Sequence, residues 1–195
     1  MTWVQPVILQ GRLARLEPLD ERHAEGLRAA ARSSEIWRLL VARKIDSVED
    51  AMDYVRKMRA QFEAGLALGF ATVLASTGEV AGSTCYLDIQ PLPRGIEIGG
   101  TWLNPAHQRT GINTEAKFLM LSHAFEVLKA NRVCLKTDSR NLQSRKAIER
   151  IGAKQEGVLR KHMVAADGVL RDSVYFSVIA DEWPAVKEKL EALMR

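Results

Sequence analysis

The run Asn104-Pro105-Ala106-His107-Gln108-Arg109-Thr110-Gly111-Ile112-Asn113-Thr114-Glu115-Ala116 holds the residue types most able to do chemistry. It reads as a strand ending at Asn104-Pro105, a short loop with a basic residue, a hydroxyl and a glycine, and the start of a helix. A helix N-terminus presents unpaired N–H groups and the positive end of a dipole, so this arrangement can bind an anion. Gly111 lets backbone approach a phosphate closely, and Arg109 adds positive charge. The same residues also read as a plain connector, with Thr110 or Asn113 capping the helix. Glu115 in the first turn favours the connector, because its carboxylate satisfies the dipole and would repel an anion on the same side.

Other candidates flank this run. Glu97 stands between Ile96 and Ile98 in a β-like stretch, so its side chain points away from both, to solvent or into a site. Gly99-Gly100 follows, and adjacent glycines in a strand mark a packing bulge or a close backbone approach. Asn141 and Ser144 suit the N-cap and N3 positions of a later helix. His23, His107, His123 and His162 show no metal-ligand spacing with one another or with Cys85 and Cys134, so no metal is expected.

The elements that must position these residues follow from period and punctuation. Residues 7–16 read as a strand bent at Gly11, with Leu13 and Leu16 apolar around Arg12 and Arg15. Asp20 caps a helix running to about Arg32. Ser47 opens another with a Ser-x-x-acid box to Asp50, and Ala51, Tyr54, Val55, Met58 and Phe62 follow at helical spacing. Strands over 68–75, 80–89 and 95–103 make an antiparallel meander. A helix over 111–129, a short strand over 132–137 and a helix over 141–151 ended by Gly152 come next. Strands over 153–164 and 169–179 meet at the hairpin signal Asp167-Gly168. Asp181 caps a last helix that tolerates Pro184 in its first turn. The order β-α-α-β-β-β-α-β-α-β-β-α predicts one α+β domain over residues 1–195, antiparallel first, with a β-α-β crossover after.

Composition narrows the classes. The 195 residues suffice for one sizeable core, and 47% apolar with 27% charged residues is ordinary for a globular chain. A formal charge of +4 ranks anionic partners without choosing among them. No run nears the ~18 apolar residues of a membrane span, and the N-terminal segment lacks the pattern of a signal peptide. Two isolated cysteines fit reduced thiols in a cytoplasmic protein. Basic and aromatic residues do not interleave as in a single-strand nucleic-acid platform.

Gln108-Arg109-Thr110-Gly111-Ile112-Asn113 resembles the acetyl-CoA pyrophosphate motif of the GNAT N-acetyltransferases, Gln/Arg-x-x-Gly-x-Gly/Ala, with Asn113 where the family usually has Gly or Ala. Asn141-Leu142-Gln143-Ser144 with Ile151-Gly152-Ala153 is similar to the Asn-x-x-Ser…Gly-Ala signature of the RimJ/RimL branch, which includes ribosomal-protein-alanine acetyltransferases. The resemblance spans nearly the whole element order. It implies the GNAT fold, a mixed, mostly antiparallel sheet with a central splayed strand pair and helices on both faces. It implies acetyl-CoA as cosubstrate, held by Gly99, Gly100, Trp102, Gln108, Arg109, Thr110, Gly111, Ile112, Asn113, Thr114 and Asn141. Arg140, Arg145 and Lys146 are then expected near its phosphates. Glu97 is the candidate base, ahead of His107, with His162 structural or near the acceptor mouth, and Ser144 is the candidate donor to the departing thiol. A backbone N–H near Gly99 would steady charge on the thioester oxygen.

The reaction implied is direct attack by a neutral amine. A lysine side chain of pKa about 10.4 is only about 0.04% neutral at pH 7, whereas an α-amine near 7.8 is on the order of 15% neutral. A chain without an obvious dedicated base therefore suits a protein or peptide N-terminal α-amine. The alternatives are a small amine (amino acid, aminoglycoside or polyamine) and a non-catalytic acyl-CoA-binding sensor. No nucleic acid or membrane partner is expected, and the oligomeric state, a homodimer included, stays open.

Overall fold

The computed structural model describes residues 2–42 and 44–195, so Met1 and Arg43 lie outside the described residues. Alternating inward side chains build an eight-stranded sheet in the order β1-β2-β3-β4-β5-β6-β8-β7. The strands are β1 (Leu9–Gln10), β2 (Ala14–Pro18), β3 (Leu68–Leu74), β4 (Val80–Gln90), β5 (Gly95–Leu103), β6 (Arg132–Asp138), β7 (Lys154–Val164) and β8 (Leu170–Ile179). The helices are α1 (Ala24–Ala30), α2 (Val48–Glu63), α3 (Ile112–Ser122), α4 (Leu142–Arg150) and α5 (Trp183–Leu193). Neighbouring strands run antiparallel except β5 and β6, which the crossover through α3 makes parallel.

The two sheet faces bury different partners. Tyr86, Ile96, Ile98, Val133, Leu135, Val174 and Phe176 pack with Met120 and Leu121 of α3 and with Trp183 and Leu190 of α5. On the other face, Trp102 packs with Leu27 of α1, Val55 of α2 and Trp37, and Cys85 packs with Met58 of α2. Among the described residues, no helix is long and apolar enough to cross a membrane.

Several elements depart from the sequence expectation. The strand expected over 7–16 is divided at Gly11, and Ala14 and Leu16 point inward while Leu13 is exposed. Glu115 explains the break. Its carboxylate accepts the N–H groups of Arg12 (3.0 Å), Leu13 (2.6 Å) and Ala14 (2.7 Å), which no sheet partner takes. The helix expected to Lys129 is α-helical only to Ser122, then widens into a π turn over His123–Val127. There the buried Tyr86 hydroxyl donates to the Met120 carbonyl at 2.6 Å, inside the helical ladder. Asp20 caps a 3₁₀ turn (Glu21–His23) ahead of α1, which ends at Ala30. Asp181 lies within a 3₁₀ turn (Ala180–Glu182) rather than capping α5, which begins without a side-chain cap. The Ser47–Asp50 capping box forms as expected, with both backbone bonds at 3.0 Å.

The decisive feature for a site is where the central strands part. β5 and β6 pair only at Gly95–Arg132, Ile96–Val133 and Glu97–Cys134. Beyond that point β6 continues against β8 and β5 against β4, so the facing edges separate.

Candidate active site

A cavity of about 1660 Å³ occupies the gap between the parted strands. One end is formed by the N-terminus of α3. Its N-cap is Gly111, at φ +82°, and no side chain caps the helix. Glycine adopts this left-handed conformation without the strain a Cβ brings. Thr110 does not cap either, because its hydroxyl donates to the His107 carbonyl at 2.7 Å. The first-turn N–H groups of Ile112, Asn113 and Thr114 thus keep their capacity to bind an anion. Glu115 faces away from this opening, toward the β1–β2 break, so it braces the helix and does not repel a ligand at its tip.

The loop before α3 is tied to its surroundings. Gln108 donates to the Leu103 carbonyl (3.2 Å) and accepts from Gln143 of α4 (3.3 Å). Arg150 of α4 donates to Thr114 at 2.9 Å. Arg109, itself at φ +62°, and Lys146 and Arg150 line the cavity here. The charges expected beside an anion are corrected in part. Arg140 is committed to Asp138 (2.7 Å) and Asp167 (2.9 Å), and Arg145 lies outside the cavity lining.

The middle of the cavity is β5 itself. Ser83 faces Trp102 and Cys85 faces Gly99, so β5 carries an extra residue and bulges at Gly100, where φ is +57°. A Cβ on Gly99 would lie 2.6 Å from Glu97 Oε1, so the glycine makes room for that carboxylate. Asn141 caps α4 by accepting the Ser144 N–H at 3.0 Å. Asn141 and Ser144 both line the cavity, and the Ser144 hydroxyl has no hydrogen-bond partner among the described residues.

The far end is a polar ladder across three strands on the face opposite α3. Glu97, 4% exposed, pairs with Lys136 of β6 at 2.8 Å. Burial works against the Lys136 ammonium, but Glu97 outweighs it and raises the lysine pKa. Lys136 also lies over the Tyr175 ring at 5.6 Å. Next to it, buried Asp138 takes a forked bond from Arg140, which overcomes the burial and lowers its pKa. Ser173 Oγ accepts from Arg171 Nε at 3.0 Å and contacts His162 Nδ1 at 3.1 Å. The Ala166 N–H donates to the Leu40 carbonyl at 2.9 Å, joining the β7–β8 hairpin to the segment after α1.

The remaining predicted residues fall into place around this frame. Ile112 packs its side chain against Ala14, Ala81 and Leu103, leaving only its backbone toward the opening. Trp102 directs its ring to Trp37, with centroids 5.2 Å apart, on the face away from α3. His107 pairs with exposed Glu79 at 3.3 Å, outside the cavity lining.

Sequence reading missed the cavity residues Tyr54, Lys117, Lys136 and Arg171. The Tyr54 hydroxyl contacts Ser83 Oγ at 2.9 Å and Cys85 Sγ at 3.6 Å, and burial pushes its pKa well up. Burial likewise raises the Cys85 thiol to about 11. Lys117 of α3 donates to Thr101 (2.7 Å) and Thr84 (3.2 Å) with no carboxylate partner among the described residues, and burial lowers its pKa to about 7. The one available signal was a polar residue at a core-facing helical position, as with Tyr54 on the apolar stripe of α2.

Residues 14–154 match the family described as acetyltransferase (GNAT) domain. YdaF of Bacillus subtilis (strain 168), whose name proposes a ribosomal N-acetyltransferase, is 32% identical over 119 residues. That match covers 61% of this chain and 64% of YdaF, just under two thirds of the relative's length. The crystal structure of a GCN5-related N-acetyltransferase from Brucella melitensis superposes with a TM-score of 0.90 at 32% identity, covering 98% of this chain and 87% of that one. RimJ of Mycobacterium smegmatis, in complex with CoA-disulfide, shares the fold with a TM-score of 0.81 at 23% identity, covering 97% and 93%.

Proposed function

This chain belongs to the GNAT acetyltransferase family and is an acyltransferase, and from that premise we propose that it transfers acetyl from acetyl-CoA to an N-terminal α-amine of a protein or peptide. The observation that carries the reading is the uncapped α3 N-terminus lying beside the opened edge of β5. These fit a ligand with a pyrophosphate at one end and an extended amide-bearing arm. When bound, acetyl-CoA supplies the activated acyl group and a thiol leaving group. The N–H groups of Ile112, Asn113 and Thr114 hold the pyrophosphate, and Arg109, Lys146 and Arg150 add charge around it. The free β5 edge at Gly99 and Gly100 pairs with the arm as a strand would. Asn141 holds the α4 turn that presents the Ser144 hydroxyl, which donates a proton to the departing thiolate. The RimJ complex with CoA-disulfide supports the same use of this fold.

Glu97 faces the acceptor end and receives the proton of the attacking amine. It is bonded to Lys136 at 2.8 Å. An α-amine, about 15% neutral at pH 7, needs far less help from a base than a lysine side chain at about 0.04%. The ribosomal acetyltransferase name of YdaF supports a protein acceptor as well. A small amine is the second reading, favoured by the cluster of charged side chains, Glu97, Lys136 and Arg171, that lines this end of the cavity.

Titration calorimetry with acetyl-CoA tests the first half of the proposal, and micromolar binding is expected. Thiol release with a peptide panel against a panel of small amines tests the second. Turnover on small amines alone would replace the first reading by the second. Absence of acetyl-CoA binding would remove both.

A further inference from the structure

Arg171 is a charged side chain only 6% exposed, and it lines the acceptor end of the cavity. Its position follows from β7. Leu159 pairs with Ser173 and Met163 with Arg171, so β7 carries two extra residues opposite Asp172. Lys161, at φ +50°, anchors this bulge through its N–H to Asp172 at 2.7 Å. The bulge sets the exposed His162 against Ser173 Oγ, and that same oxygen accepts from Arg171 Nε at 3.0 Å. The guanidinium plane is therefore fixed from one side. Its two terminal nitrogens have no hydrogen-bond partner among the described residues. The carboxylates nearest in field, Asp138 and Glu97, are bonded to Arg140 and Lys136 instead. Burying a guanidinium is costly unless its donors are met.

A fixed planar fork with two free donors matches a carboxylate. Lys136, Arg140 and Arg171 balance Glu97, Asp138 and Asp167 on this face, so a monoanion suits it better than a phosphate dianion. Arg171 also lies on the face of β8 opposite Val174 and Phe176, which pack beneath α3, so it is not part of the anion site at the α3 tip. We propose that Arg171 is a specificity-determining residue that receives a carboxylate on the amine acceptor while the amine sits toward Glu97. This rests on the acetyltransferase reading above. It favours an α-amino acid or an N-terminus followed by an acidic residue over a polyamine or aminoglycoside, which carry no carboxylate.

The test uses matched acceptors with acetyl-CoA: alanine against alaninamide, and Ala-Asp-amide against Ala-Asn-amide. The wild type is expected to prefer the acid of one pair by tenfold or more in kcat/KM, mainly through KM. The pair that discriminates identifies the source of the carboxylate. Arg171→Met should bring that ratio to about one, and Arg171→Lys should restore part of it. A structural role alone would slow acid and amide equally. Calorimetric binding of acetyl-CoA to each variant separates the two ideas. Intact acetyl-CoA binding with no acid preference, or with no turnover of any of the four, overturns the role of Arg171 alone. Lost acetyl-CoA binding in the wild type overturns both.

Discussion

The α3 end of the cavity is made of backbone, whereas the β6–β8 end is made of side chains. At the first, the groups left open are N–H donors of one helical turn, and the side chains around them serve to shape and brace the loop. At the second, Glu97, Lys136, Asp138, Ser173 and Arg171 come from three strands and are held by one another. Backbone donors are indifferent to sequence once the fold places them, so such a site keeps one cosubstrate across a family. A side-chain network changes with any of its members, so it suits the part of the reaction that differs between relatives.

Four substitutions and one control test this contrast. The largest effect is expected from Glu115→Ala, which strands three N–H groups of the β1–β2 break. Charge-assisted bonds of this kind are worth about 1.5–3 kcal/mol each and are not additive, so a loss of about 4 kcal/mol is expected. For a chain of this size that lowers Tm by about 10 °C. A drop under about 3 °C by calorimetry would show that α3 is not braced by this carboxylate.

Gly111→Val comes next. A branched side chain at φ +82° moves the first turn of α3, and acetyl-CoA binding should weaken about 100-fold, or ~2.7 kcal/mol. Thr110→Ala, which removes a bond inside the loop only, should change it by less than about threefold. Equal losses in the two variants would break the contrast between backbone and side-chain sites.

Lys117→Met probes a buried cation behind the β5 bulge. Its folded pKa of about 7 lies below the ordinary 10.5, so between those values the unfolded chain binds more protons and stability rises with pH. Below pH 7 the cost of burying the charge is fully present. The stability of the variant relative to wild type should therefore fall by about 2–3 kcal/mol between pH 6 and pH 9. Denaturant melts at the two pH values read this directly, and a difference that grows with pH contradicts it.

Glu97→Gln should give the smallest of the four losses, above only the Thr110→Ala control. A tenfold fall in kcat, ~1.4 kcal/mol, is expected with acetyl-CoA affinity within twofold. A larger loss in acetyl-CoA affinity than in kcat would move Glu97 from the acceptor end to the other.

This division also explains what could be read in advance. The Gln108–Asn113 loop, the Ser47 box and the Asp167-Gly168 turn are local in sequence, and local backbone geometry leaves local marks. Of the polar ladder only Glu97, set between two isoleucines, leaves one; Lys136 and Arg171 join it by pairing across β5, β6 and β8. Arg140 was expected beside phosphates because it precedes α4, but buried Asp138 two residues earlier captures it. Glu115 looked like a dipole partner because its distant partners, the N–H groups of residues 12–14, cannot be inferred from its position. The β7 bulge escaped detection because Arg160-Lys161-His162 continues an ordinary strand pattern.

The Ala166–Leu40 hydrogen bond has a kinetic consequence. The Ala166 amide exchanges its proton with solvent only when that bond opens, so one backbone resonance reports how often the β7–β8 hairpin parts from the segment after α1.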